Sequence, residues 1–377
     1  MKAPQIACLL CMMAVPATAQ NQFDYTINGS TITVTGYFGS GKTVTIPDTI
    51  AGLPVTSIGG EGYFFQSITS VIIPGSVTNI GNSAFAHCTS LTNATIPNSV
   101  VNVGSGAFSY CTNLAGATLP DSVSSIGDHA FYVCSSLTSV TIPHGVTNIG
   151  YFAFAFCSGL TSVTMPDNVI GIAGATFVGC SGLTNAVISN GPAGVAPFMF
   201  QECTSLRSVR IPDSVTNIGS HAFFDCRSLT SVTIPGSVTD IGDFAFGDCV
   251  SLTGIYFNGN APSTGSTVFY DDNNLNNTTV YYLPGTTNWD ATFGGRPTVL
   301  WNPEPQTSDG CFGIQGDRFG FNITGTANIP IAVEACADQA DTTWILLKTC
   351  SITNGSIYFS DPQCTNYPTR FYRLRSP

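Results

Sequence analysis

Charge is what this chain has least of. Asp, Glu, Lys and Arg together make up 9% of its 377 residues, and no Lys or Arg occurs between Lys42 and Arg207. The formal net charge is −11. Nucleic acids and anionic lipid surfaces are recognised through basic patches, so this balance argues against both as partners. Long apolar runs are missing too. Beyond residue 19 no stretch reaches 18 uninterrupted apolar residues, which excludes a membrane-spanning helix. With so few charges, solubility rests on Ser, Thr and Asn.

What is present is a leader and a repeat. Residues 1–19 combine a basic start at Lys2, an apolar core from Ile6 to Val15, and the small residues Ala17-Thr18-Ala19 before a cleavage point. That is the pattern of an export signal, so the chain is expected to be secreted or held at a cell surface. Further on, a 23-residue unit recurs eight times. Cys88, Cys111, Cys134, Cys157, Cys180, Cys203, Cys226 and Cys249 mark it, with Phe85 to Phe246 and Leu91 to Leu252 in step. Pro74 to Pro235 keep the same interval, lapsing only at Ser189. A strict period in this range means stacked coils of a solenoid.

One coil can be read from Leu229 to Cys249. Val232 and Ile234 alternate with Ser231 and Thr233, which sends the apolar pair inward and the hydroxyls outward from a strand. Pro235 has no N–H to give a ladder and closes the strand. Val238 and Ile241 supply core on the return path, and Gly242 permits a turn. Ala245-Phe246-x-x-Cys249 then fills the far side through a short helical turn. Stacking aligns the Phe side chains into a spine, each worth about 2–3 kcal/mol by transfer from water.

The words Leu-Thr-Ser-Val-Thr-Ile-Pro and Ala-Phe-x-x-Cys, as they stand at 229–235 and 245–249, resemble the BspA-type leucine-rich repeat of bacterial and protist surface proteins. The resemblance covers about 68–257, with a divergent coil from Lys42 to Gln66. It implies a mainly β leucine-rich-repeat solenoid of about nine to ten coils on a parallel sheet. It also implies adhesion or the binding of host and matrix proteins, and no catalytic residues. One coil departs from the pattern at Ser189-Asn-Gly-Pro-Ala-Gly-Val195 and is expected to bend or loosen the array.

The ends are expected to differ from the coils they cover. Residues 20–67 read as an N-terminal cap with a hairpin at Asn28-Gly29 plus the divergent coil, 68–257 as the solenoid, and 258–302 as a C-terminal cap. Asn302-Pro303-Glu304-Pro305 reads as a linker to a small all-β module within 303–377, whose ending resembles a module recurring in secreted bacterial proteins. At about 70 residues it is near the size that needs staples. Cys311, Cys336, Cys350 and Cys364 form an even set in an exported chain, and are expected to make two disulfides with three pairings open.

The column of eight thiols reads as buried filler. It offers each sulfur at most two near neighbours, and no second ligand type repeats with it, so zinc is disfavoured. Adjacent columns stay within disulfide reach, which leaves pairing open. His87, His129, His144 and His221 read as solvated residues too far apart to share an ion or a triad. Asp272-x-Asn274-x-Asn276 opens like a calcium loop but lacks the Gly and late Glu that complete one. No cofactor, metal or enzymatic activity is expected.

Function therefore falls to the variable positions. Arg207, Arg210 and Tyr256 stand out on outward strand columns otherwise filled by Ser and Thr, and Arg and Tyr are frequent hot-spot residues. The aromatic group Tyr110, Tyr132, Tyr151, Phe152 and Phe156 occupies variable columns of adjacent coils, and contiguous exposed apolar area marks interfaces. The expected function is that of a monomeric, non-enzymatic protein that binds a protein or glycan through its solenoid face. The alternative is a passive structural or self-associating envelope protein.

Overall fold

A computed structural model describes residues 22–60, 67–271, 277–337, 344–353 and 355–376. The export signal and the calcium-like Asp272-x-Asn274-x-Asn276 lie outside the described residues. The chain divides into two compact units, Met1–Leu160 with Gly171–Phe177, and Thr161–Ile170 with Val178–Pro377. Together they carry a mainly β solenoid of about ten turns, followed by small C-terminal sheets.

In the first unit the hairpin Phe23–Asn28 and Thr31–Tyr37 turns at Gly29 (φ 64°) and opens the array. The Ser-Val-Thr words then form short parallel strands, Ser70–Ile72, Asn93–Thr95, Gly116–Thr118 and Ser139–Thr141, each in register with the residue 23 positions on. The return path, marked in the sequence only by core residues such as Val238 and Ile241, is a second parallel ladder. Asn79–Ile80, Asn102–Val103, Ser125–Ile126, Asn148–Ile149 and Gly171–Ile172 pair in sequence. Two residues suffice there, because the apolar residue of each pair points inward while its neighbour faces out.

The third side is not a helical turn. Ser83, Phe85 and His87 donate their N–H groups across to the carbonyls of Ser105, Ala107 and Ser109 at 2.7–2.8 Å. Ala84, Ala86 and Cys88 donate within the coil to the carbonyls three residues back. Residues that bond between coils thus alternate with residues that bond inside one. The two flanking donors of each coil take left-handed backbone, as at Ser83 (φ 54°) and His87 (φ 60°), then Tyr110 (φ 59°), Val133 (φ 58°) and Phe156 (φ 59°). Each costs a residue with a Cβ about 1–2 kcal/mol.

What offsets that cost lies just inside. The rings of Phe85, Phe108, Phe131 and Phe154 stack at 5.2 Å, and Phe177 follows at 5.5 Å, all fully buried. In the second unit Phe200, Phe223 and Phe246 continue the same way. Phe269 stacks on Phe246 at 6.1 Å, so the spine runs one coil beyond the expected end of the solenoid. The parallel ladder also runs on through Gly254–Phe257, Thr279–Tyr282 and Arg296–Leu300, with Thr292–Phe293 folded back on the last strand.

The C-terminal module packs two antiparallel sheets. In one, Arg318–Thr324 is flanked by Ser356–Asp361 on one side and by Glu304–Gln306 and Gly313–Gln315 on the other. In the other, Pro330–Cys336 lies between Ile345–Ser351 and Phe371–Arg375. The supposed linker is therefore tied down, since Glu304–Gln306 is an edge strand of the module. Its apolar core joins Phe321, Ile331, Val333 and Phe359 to Tyr256 and Trp301 of the last coils.

The left-handed positions give a direct test. Gly179 (φ 69°) occupies the place that Val133 and Phe156 hold in earlier coils. Gly179→Val is expected to cost about 1–2 kcal/mol and Gly179→Asn much less, because a short polar side chain tolerates this conformation. Urea midpoints of the two variants check this; equal losses would contradict it.

Candidate binding cleft

The two aromatic candidates behave differently. In the first unit Tyr110 stacks on His87 at 4.5 Å and meets Tyr132 edge-on at 5.3 Å. Tyr132 in turn meets Phe152 and Phe156 edge-on, and His129 stacks on Phe152 at 5.1 Å. Four of the five expected residues thus form one contiguous face, with Tyr110 and Phe156 exposed. Tyr151 is exposed beside them, its ring touching no other ring among the described residues, while its N–H donates to Asp128 Oδ1 at 2.7 Å.

His129 and His144 are exposed as expected, whereas His87 and His221 are half-buried, and His87, His129 and His221 each stack on a neighbouring ring. In the second unit His221 lies between Phe198 and Phe244, 4.9 Å from each ring, and Tyr270 closes the row. Burial among these rings lowers the His221 pKa, against the opposing pull of Asp243. This second row escaped the sequence reading although Phe198, His221 and Phe244 stand 23 residues apart, a signal that was there to be read.

Tyr256 is corrected from exposed anchor to buried contact. It retains 5% exposure, stacked on Tyr281 at 4.8 Å and edge-on to Trp301. Burial pushes its hydroxyl pKa well up. Trp301 Nε1 donates to the carbonyl of Pro330 at 2.9 Å, and the hydroxyls of Thr233 and Ser376 meet at 2.9 Å. The module is seated on the outward face of the last strands, and Tyr256 lies beneath it.

Beside that seat the two surfaces diverge into a cleft of about 930 Å³. Its floor carries Arg207, Ser208, Arg210, Ser231 and Thr233, and its wall carries Glu334, Arg373, Arg375 and Ser376. Glu334 is buried, and its two oxygens accept from Arg373 Nε at 2.8 Å and Arg375 Nε at 2.5 Å. Arg373 also lies 4.3 Å over the Trp344 ring. One carboxylate thus holds two guanidiniums. Arg207 and Arg210 are exposed and make no ion pair among the described residues. Four arginines against Glu334 and Asp213 make this a positive site on a chain of net charge −11.

The thiol column lies elsewhere and is structural. Cys111, Cys134 and Cys157 donate Sγ–H to the carbonyls of Phe85, Phe108 and Phe131 in the preceding coil at 3.1–3.2 Å, and Cys226 and Cys249 repeat this in the second unit. Burial pushes the pKa of Cys157, Cys203 and Cys226 well up and that of Cys249 to about 12. Among the described residues no three His, Cys, Asp or Glu converge as a metal site would need. The two disulfides expected in the module are absent from the structure, where Cys311, Cys336, Cys350 and Cys364 are all free thiols. Cys350 pairs with Ile331 and Cys336 with Phe371, which puts these two toward opposite ends of the central strand. Cys364 Sγ accepts from Phe319 N–H at 3.0 Å.

A parallel solenoid with Phe and Cys columns at a 23-residue period is the architecture of a leucine-rich-repeat protein. Residues 56–184 and 170–286 match the model of the BspA type leucine rich repeat region, more than half of the chain, and the chain belongs to that family. Similar solved structures include a T. pallidum leucine rich repeat protein, 29% identical with a TM-score of 0.45, covering 55% of this chain and 88% of that one. A leucine rich cell surface protein from Faecalibacterium prausnitzii is 26% identical with a TM-score of 0.29, covering 63% and 93%. The pneumococcal vaccine antigen PcpA is 15% identical with a TM-score of 0.36, covering 75% and 98%. No curated protein matches the chain.

The buried thiols set a pH limit. A folded pKa of about 12 at Cys249 against an ordinary 9.0 means that the folded state keeps a proton the unfolded chain gives up. The contribution is complete below pH 9 and is lost as pH rises from 9 through about 12. The urea midpoint is expected to fall across that window, and less steeply in Cys249→Ala; parallel curves would contradict a protonated thiol there.

Proposed function

We propose that this chain is an exported, non-enzymatic binding protein that takes a macromolecular ligand into the cleft between the last coils and the C-terminal module. The observation that carries the reading is the pair Arg207 and Arg210, exposed on the cleft floor without ion-pair partners among the described residues and following a stretch from 43 to 206 that holds no Lys or Arg. A structural role would give them carboxylates; ligand recognition requires them open. Export rests on the leader pattern of residues 1–19, and membership of the leucine-rich-repeat family supports a surface role. The protein acts as a monomer, with its ligand on a surface or in a matrix. The aromatic face of Tyr110, Tyr132, Phe152 and Phe156 supports a second reading, self-association within an envelope layer, because exposed contiguous aromatic area favours an interface.

Binding of the mature protein across a panel of glycans and matrix proteins separates the readings. Arg207→Ala/Arg210→Ala is expected to abolish selective binding, and Tyr110→Ala/Phe156→Ala to leave it intact. Unchanged binding in the arginine variant would overturn the cleft reading. Concentration-dependent sedimentation lost in the aromatic variant would support self-association.

A further inference from the structure

Resting on that cleft, the geometry points to its ligand class: an acidic, unsulfated polysaccharide whose uronate carboxylates are taken by Arg207 and Arg210. The residue type is the first argument. All four cations at the cleft are arginine, whose planar fork matches a carboxylate in two parallel hydrogen bonds, where lysine offers only a point charge.

Preorganisation is the second. Glu334 holds Arg373 and Arg375 in fixed positions on the wall, and the Trp344 ring backs Arg373. Groups already locked in place lose less freedom when a ligand arrives. On the floor Ser208 donates to Asn185 Oδ1 and Thr233 meets Ser376, which leaves the Asn185 amide N–H groups and the hydroxyl lone pairs to meet sugar hydroxyls.

Backbone economy favours a glycan over an acidic peptide. A peptide adding to a sheet needs a free strand edge. Here Asn185–Val187 pairs with Ser208–Arg210 and Ser231–Ile234 pairs with Gly254–Phe257, while Ser208–Arg210 and Ser231–Ile234 end separate sheets but approach within 8 Å Cα to Cα, too close to admit a further strand between them. Only side chains reach the ligand.

Charge range decides between kinds of acidic polymer. At physiological salt, fields fade over about 8 Å. A ligand inside the cleft therefore feels its arginines, while a long, densely charged polymer also meets the surrounding surface of a chain at −11. Sparse carboxylates suit this better than sulfated chains or nucleic acid.

Calorimetry of the mature full chain tests this with four probes: oligogalacturonate, a neutral cello-oligosaccharide of equal length, a heparin oligosaccharide and polyglutamate. Oligogalacturonate is expected to bind best, with affinity falling as NaCl rises. Arg207→Ala and Arg210→Ala should each weaken it on the order of tenfold, the scale of a charge-assisted hydrogen bond. Arg207→Lys should fall in between, and unchanged thermal unfolding of these exposed-site variants shows that the fold survives. Equal binding of the neutral probe, tighter binding of heparin or polyglutamate, no binding of oligogalacturonate, or full affinity in the alanine variants would overturn the inference. If the wider panel yields a different ligand that the arginine variant loses, the uronate assignment fails and the cleft stands. If oligogalacturonate binds and the variants keep it, both fail.

Discussion

Everything in this fold depends on a residue sitting over the one 23 positions away. The constraint is enforced most firmly where Phe and Cys meet. Within each unit the Phe rings stack on their counterparts, and the carbonyls of Phe85, Phe108, Phe131, Phe200 and Phe223 accept the thiol of the next coil. A thiol is small enough to fit under the turn and is a weak donor that needs no other partner. The hydroxyls extend the same register to the surface. Thr92 donates to the Thr69 carbonyl, Ser99 to that of Val77 and Ser122 to that of Val100. Much of the Ser and Thr that looks like open polar surface is thus engaged in joining coils. The left-handed backbone at two places per coil is tolerated because the cross-coil bonds and the buried ring beneath hold it.

On the proposed reading, that same engagement moves recognition to positions outside the pattern. A repeat whose hydroxyls are used between coils has few groups left for a ligand, and a chain with so few cations has little long-range attraction to offer. Arg207 and Arg210 escape both limits by standing on the strand face without partners. Their opposite wall comes from the C-terminal module, which brings Arg373 and Arg375 together through one buried carboxylate. A module of this kind does more than close the array, since its docking turns one edge of an open sheet into a cleft.

The spacing of Phe, Leu, Cys and Pro made the solenoid, its strands and its spine legible from sequence, because every inward position recurs. Two features were harder to see. The second ladder rests on pairs such as Asn102–Val103, too short for an alternation of two to be recognised. The continuation through Phe269 keeps the period, but the next strand is offset, with Gly254 pairing Thr279 rather than a residue 23 away. Tyr256 breaks the Ser and Thr pattern of its column, yet its burial depends on Trp301 and a module far along the chain. For the same reason Arg373 and Arg375 carried no signal: nothing local says that they face Arg210.

The cleft exists only while the C-terminal module is seated on the last coils. In a Trp289→Phe/Trp344→Phe variant, Trp301 is the remaining tryptophan and reports that seat alone. Its emission is predicted to be blue-shifted and shielded from acrylamide in the native protein, becoming quenchable only on unfolding. Quenching of native Trp301 as efficient as in the unfolded chain would show the module undocked and the cleft unformed.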